Sequence, residues 1–286
     1  MTPRPMVIGA GGLLGRALVH RLETEFPGTI AATRAEADVT DRFRLEAEIE
    51  RLEPTVVINC AAFTDVDGCA RDPGLALEIN AVGAENVARA AAGAGCRVVQ
   101  VSTDFVFDGR AGRPYVETDA PAPLSEYGRS KLDGERRVAA VADDHLIVRT
   151  AWLYGHGGGG FVAAIRRRAE ASEPLRVVAD QAGSPTFADD LADGIARLLT
   201  VEARGIVHLV NRGACTRLEL AAAIVEDLRL TGRVRLTPIT TRETGTAAER
   251  PACSALDTAL YERLTGHVPR PWRAALRWFL RGGEAA

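Results

Sequence analysis

Short, unbroken apolar runs alternate with stretches in which apolar residues recur every three or four positions through the first half of the chain. Met6-Val7-Ile8 is such a run. The turn Gly9-Ala10-Gly11-Gly12 follows, then Leu13, Leu14, Ala17, Leu18 and Leu22 at helical spacing. The same alternation predicts a strand at 29–33, a helix including 46–52, a strand at Val56-Val57-Ile58 and an alanine-rich helix at 76–94. It continues with a strand at 98–101, a helix at 127–142 and a strand at Leu146-Ile147-Val148. Strands that are apolar throughout fit a parallel sheet covered on both faces. The predicted fold is therefore α/β, a doubly wound parallel sheet over residues 1–151.

The second half is less regular. Five glycines surround His156 in 155–160, a stretch that predicts a loop. A helix is expected at 161–171, a strand at 175–179, a helix at 187–199 and a buried strand at 206–210. Thr216-Arg217-Leu218-Glu219 has the spacing of a capping box, opening a helix with Leu220, Ile224, Val225 and Leu228 inside. Residues 233–250 are polar and threonine-rich, and 272–280 read as an amphipathic helix. The expectation is a smaller lobe from 152–286, with 175–210 returning to the sheet of the first domain.

Composition narrows the function. A net charge of −3 offers no attraction to nucleic acid or to an anionic membrane, and neither partner is expected. No apolar run approaches the roughly 20 residues that span a bilayer. Met1-Thr2-Pro3-Arg4-Pro5 leads straight into the first strand without a secretory signal's long apolar stretch, so the chain reads as cytoplasmic. Five scattered cysteines without a Cys-x-x-Cys pair point to reduced thiols, not to a disulfide framework or zinc site. Lys131 is the only lysine; every other member of the 35 basic residues is arginine. Arginine serves a surface ion pair equally well, so this exception invites a chemical reason.

Gly9-x-x-Gly12-x-x-Gly15 lies between the first strand and the first helix, where backbone amides and the helix dipole can receive a pyrophosphate. The second strand ends in Ala32-Thr33-Arg34, without the acid that binds the ribose hydroxyls of NAD; Arg34 can instead pair with the 2′-phosphate of NADP. The cofactor expected is NADPH, with NADH left open. Tyr127-Gly128-Arg129-Ser130-Lys131 puts a phenol and an ammonium one helical turn apart. A tyrosine pKa near 10 is roughly three units too high for proton exchange at neutral pH, and a neighbouring cation lowers it. Thr103, with Asp104 beside it, follows a buried strand and can hydrogen-bond a substrate carbonyl.

Taken together these segments resemble an extended short-chain dehydrogenase/reductase of the Rossmann type, more narrowly the dTDP-4-dehydrorhamnose reductase family. Further segments carry the likeness: Asn59-Cys60-Ala61-Ala62-Phe63-Thr64, Arg149-Thr150-Ala151-Trp152-Leu153-Tyr154-Gly155, Asp180-Gln181-Ala182-Gly183-Ser184-Pro185-Thr186, and Arg250-Pro251 followed by Ser254. The resemblance implies cofactor contacts from Gly12, Leu13, Leu14, Asp38, Val39, Ala62, Phe63, Thr64, Tyr127 and Lys131. It implies nucleotide-sugar contacts from Thr103, Asp104 and Trp152, with 155–160 as a candidate lid. The reaction implied is reduction of the C4 ketone of a dTDP-4-keto-6-deoxy-hexose. Thr103 polarises the carbonyl, Tyr127 gives the proton, and Lys131 acidifies the phenol and holds the ribose. Some relatives carry Mg2+ at a subunit contact; no residue here assigns one, and a homodimer stays open. A dehydratase would carry adjacent carboxylates after the fourth strand, where this chain has Phe105. An epimerase, a reductase of another deoxysugar and a non-catalytic NADP-binding subunit remain as alternatives.

Overall fold

The computed structural model describes residues 3–282; Met1 and Thr2 of the opening segment lie outside them. Its first half runs β1 (Pro5–Ile8), α1 (Leu13–Glu25), β2 (Ile30–Ala32), α2 (Arg42–Leu52), β3 (Val56–Asn59), α3 (Val66–Arg71) and α4 (Pro73–Leu77). A π-helical turn (Glu78–Val82) then leads into α5 (Gly83–Gly93), β4 (Arg97–Thr103), α6 (Glu126–Val141) and β5 (His145–Thr150). The second half holds β6 (Leu153–Tyr154), α7 (Gly160–Glu170), β7 (Leu175–Val178), β8 (Ala182–Gly183), β9 (Thr186–Phe187) and α8 (Ala188–Thr200). It ends with β10 (Gly205–His208), β11 (Cys215–Thr216), α9 (Arg217–Asp227), β12 (Leu236–Ile239), α10 (Ala259–Thr265) and α11 (Trp272–Leu280).

Six strands form one parallel sheet in the order β2-β1-β3-β4-β5-β10. The chain leaves β1 towards β2 and then crosses back to β3, so a crevice opens beyond the carboxyl ends of β1 and β3. Alternate residues of each strand feed the two faces. Val7, Ile58, Val99 and Val148 pack with Leu18 and Leu22 of α1 and Leu191 and Ile195 of α8. Met6, Ile8, Val57 and Val98 pack with Ile49 of α2, Val87 of α5 and Val138 of α6 on the other. Each such side chain contributes about 1.5–3 kcal/mol on burial.

The second lobe has its own core, in which Leu276 and Phe279 of α11 meet Leu220 and Ile224 of α9 and Phe187 of β9. The expected return of 175–210 to the main sheet divides in two. Strand β10 does lie beside β5, whereas β7 pairs in parallel with β12 in a separate two-stranded sheet. Its partner comes from the threonine-rich segment that predicted no element, because Leu236-Thr237-Pro238-Ile239 carries too little apolar periodicity to announce a strand. The helix expected at 76–94 is likewise interrupted: the π-turn inserts an extra residue and aims Asn80 inward. Asn80 bonds the backbone N–H and carbonyl of Phe63 at 2.8 and 3.0 Å and Ser130 Oγ at 3.0 Å, a tertiary anchor that outweighs helical regularity.

No helix among the described residues is long and apolar enough to cross a membrane. Among the described residues the most deeply buried ion pair joins α6 to the sheet: Arg149 of β5 bonds Glu135 through Nε at 2.9 Å and Nη2 at 2.7 Å, and Ser102 Oγ donates to the same carboxylate. Glu135→Ala leaves that guanidinium buried without its counter-charge. The expected loss is about 3–5 kcal/mol, read as a lower urea midpoint.

Candidate active site

The turn after β1 is shaped to receive a phosphate chain. Gly9 sits at φ +80°, where a side chain would be strained and would run into the backbone of Ala61. Gly15, one turn into α1, packs against the Gly9 carbonyl so closely that no Cβ fits. Beyond the turn a cavity of about 480 Å³ is lined by Gly9, Gly11, Gly12, Thr33, Arg34, Asp38, Val39, Cys60, Ala61, Ala62 and Ile79. Arg34, largely exposed on the rim, pairs with Asp38 at 3.1 Å. Asp38 is held below the usual carboxylate range, chiefly by the Thr40 backbone N–H and also by Arg34. A dinucleotide fits this set: amides at the turn for phosphate, an apolar slot at Val39 and Ile79, and a cation at the rim.

Not every expected contact belongs to the cavity. Leu14 points its side chain into the core beneath the sheet, and Gly15 serves helix packing. Only their positions at the start of α1 favour an anion. Leu13 leans towards Gly155 and Gly158 of the glycine loop. Arg16 ties that loop to the turn by donating to Gly157 O at 3.1 Å and to the carbonyl of Gly11. Phe63 turns its ring to Gly68, and Thr64 is exposed. The reason is local: Asn80 holds the Phe63 backbone and fixes which way the segment runs.

Thr103 ends β4, and α6 carries Tyr127 and Lys131 across to it. Ser125 caps α6 by accepting from Gly128 N at 3.2 Å. Gly128 lets the helix press directly onto the carbonyl of Phe105. Phe105 meets the Tyr127 ring edge-on at 5.5 Å. Lys131 is buried and donates from Nζ to Val101 O at 2.7 Å. Burial pulls its ammonium down to about 8, against the opposing influence of Glu135 and Cys60. Cys60, facing the same ammonium, is pushed by burial up to about 12.

The expected acidification of Tyr127 by Lys131 is not what this arrangement shows. Burial raises the phenol pKa above its ordinary value, the Thr103 hydroxyl partly offsets this, and Asp104 and Cys69 raise it further. The ammonium spends its short reach on the Val101 carbonyl, so helical spacing alone did not make it the phenol's partner. Thr103 Oγ1 donates to Asp104 Oδ1 at 3.0 Å and accepts from Phe105 N at 3.2 Å. Asp104 is buried, which raises it to about 6, and Ser254 from the second lobe donates to its other oxygen.

Trp152 stands just past β5 with φ +46°, a left-handed backbone that costs a non-glycine residue about 1–2 kcal/mol. Its ring packs between the two lobes' apolar clusters, against Gly183. The Arg217 guanidinium lies 3.4 Å from its centroid. Across the cleft Arg250 pairs with Asp67 at 2.6 Å. Arg217 escaped sequence reading because its position suggested only the first residue of a capped helix; Asn80 escaped because nothing marks a π-turn. Among the described residues no group of three or more His, Cys, Asp or Glu side chains converges to hold a metal, and no role is assigned to magnesium.

Residues 4–283 match the family model described as the RmlD substrate binding domain. The spore coat polysaccharide biosynthesis protein SpsK of Bacillus subtilis is 38% identical, over 98% of this chain and 98% of its own. A dTDP-4-dehydrorhamnose reductase of Mycobacterium tuberculosis is 40% identical, over 96% of this chain and 91% of its own. Among solved structures, a dTDP-4-dehydrorhamnose reductase from Bacillus anthracis in complex with NADP superposes with a TM-score of 0.94. It is 36% identical and is matched over 99% of this chain and 100% of that one.

The Lys131 ammonium loses its proton as pH rises through about 8. Affinity for NADPH, followed by fluorescence titration, is expected to weaken through that window, and Lys131→Met to bind weakly throughout without the step.

Proposed function

The chain belongs to the RmlD substrate binding domain family, and on that premise we propose that it is an NADPH-dependent reductase of nucleotide sugars. Its substrate is the C4 ketone of a dTDP-4-keto-6-deoxy-hexose, with dTDP-4-dehydrorhamnose reduced to dTDP-L-rhamnose. The observation that carries this reading is the Tyr127 phenol paired with the Thr103 hydroxyl at the end of β4, with the buried Lys131 ammonium facing Cys60, a lining residue of the dinucleotide cavity.

Gly9, Gly12 and the start of α1 would hold the pyrophosphate, Val39 and Ala62 the flanking walls, and Arg34 the 2′-phosphate. When bound, the reduced nicotinamide supplies hydride to the ketone carbon. Tyr127 then gives its phenolic proton to the carbonyl oxygen as negative charge gathers there. A phenol kept neutral by burial suits this direction, because the emerging alkoxide is a far stronger base than phenolate. Thr103 carries one hydroxyl hydrogen, shared with Asp104, that can turn to the same oxygen. Lys131, anchored on the Val101 carbonyl, keeps a positive charge beneath the site and would hold the nicotinamide ribose.

Tyr127→Phe is expected to lower kcat by about 10²–10⁴-fold while NADPH still binds. Turnover within a few-fold of the parent would remove the proton-donor role. NADPH oxidation over a small panel of dTDP-4-keto sugars identifies the substrate. Stoichiometric consumption of NADPH distinguishes a reductase from an epimerase, which recycles its cofactor.

A further inference from the structure

Arg217 is an expensive residue where it stands. It opens α9, at the helix end whose partial charge is already positive. Its guanidinium is enclosed by Trp152 on one side, at 3.4 Å, and approaches the ring of Phe161 at 4.9 Å. Among the described residues it takes part in no side-chain hydrogen bond or ion pair; the backbone N–H alone is engaged, with Gln181 O at 3.1 Å. Desolvation pulls its pKa down to about 10, with Asp104 opposing and Arg250 assisting. The neighbouring cation differs in this respect, since Arg250 is neutralised by Asp67. A planar fork of five donors, fixed in orientation by stacking and left without an acceptor, is complementary to a doubly anionic oxygen group. Its platform, Trp152, follows β5 two residues past Thr150, the register partner of Thr103, which puts that group on the substrate and not on the dinucleotide's pyrophosphate at the glycine turn.

We propose that Arg217, presented on the face of Trp152, anchors the diphosphate of the nucleotide-sugar substrate. This rests on the nucleotide-sugar reading above and adds to it the residue that holds the nucleotide end of the substrate. Trp152 thereby acts as a platform as well as a wall. Its left-handed backbone is the local cost of bringing the ring under the guanidinium.

The test uses the full chain saturated with NADPH, with dTDP, dTMP and thymidine as probes and isothermal titration as the readout. The parent should bind dTDP well above thymidine. Arg217→Met should weaken dTDP about 10- to 100-fold, leave thymidine and NADPH affinities unchanged, and raise KM for the keto sugar more than it lowers kcat. Arg217→Lys, which keeps the charge without the fork, should recover part of the loss. Affinity for dTDP within about twofold of the parent in Arg217→Met would overturn the assignment, as would a loss shared equally by thymidine. If the parent reduces no dTDP-4-keto sugar yet binds UDP or GDP through Arg217, the substrate reading falls and the anchor stands.

Discussion

The docking of α6 onto β4 is the constraint on which the site depends. Three contacts of different kinds fix it. Gly128 allows the first turn to touch the backbone of Phe105, Lys131 reaches the carbonyl of Val101, and Glu135 takes Ser102 and Arg149 into a buried charge pair. They lie along one face of the helix and bind it to the strand that ends in Thr103. A phenol and a threonine hydroxyl remote in sequence are thereby held in register by a rigid helix and strand, which position groups more tightly than loops do. The buried pair is costly to desolvate, and what it supplies is geometry more than stability.

The second lobe meets this frame at a few polar points. Ser254 donates to Asp104, and Asp67 of α3 receives both Arg250 and the Ala248 backbone N–H. The first contact joins the lobe to Thr103 through one carboxyl group. The second ties the segment 248–250 to α3. These polar contacts fix the two segments against the first domain.

Much of this was legible from residue order. The apolar strands, the glycine turn and the Tyr127–Lys131 spacing express short-range rules, and the structure places them where those rules put them. What was hidden depends on distant partners. Strand β12 exists because β7 offers an edge, although Thr237 and Pro238 dilute its signal. The π-turn exists because Asn80 must reach Phe63 and Ser130. Leu14 turns its side chain to the core by its helical phase, which leaves only its backbone to face the turn. The sense of the Tyr127 shift was misjudged for the same reason: spacing says that two side chains share a face, not which acceptor the longer one will choose.

Cys60 lines the dinucleotide cavity, yet its thiol is shifted to about 12 by burial. Thiol chemistry runs through the thiolate, which is scarcely populated here at physiological pH. Electrophiles and peroxides therefore meet a thiol at that position and not a thiolate, the less reactive of its two forms.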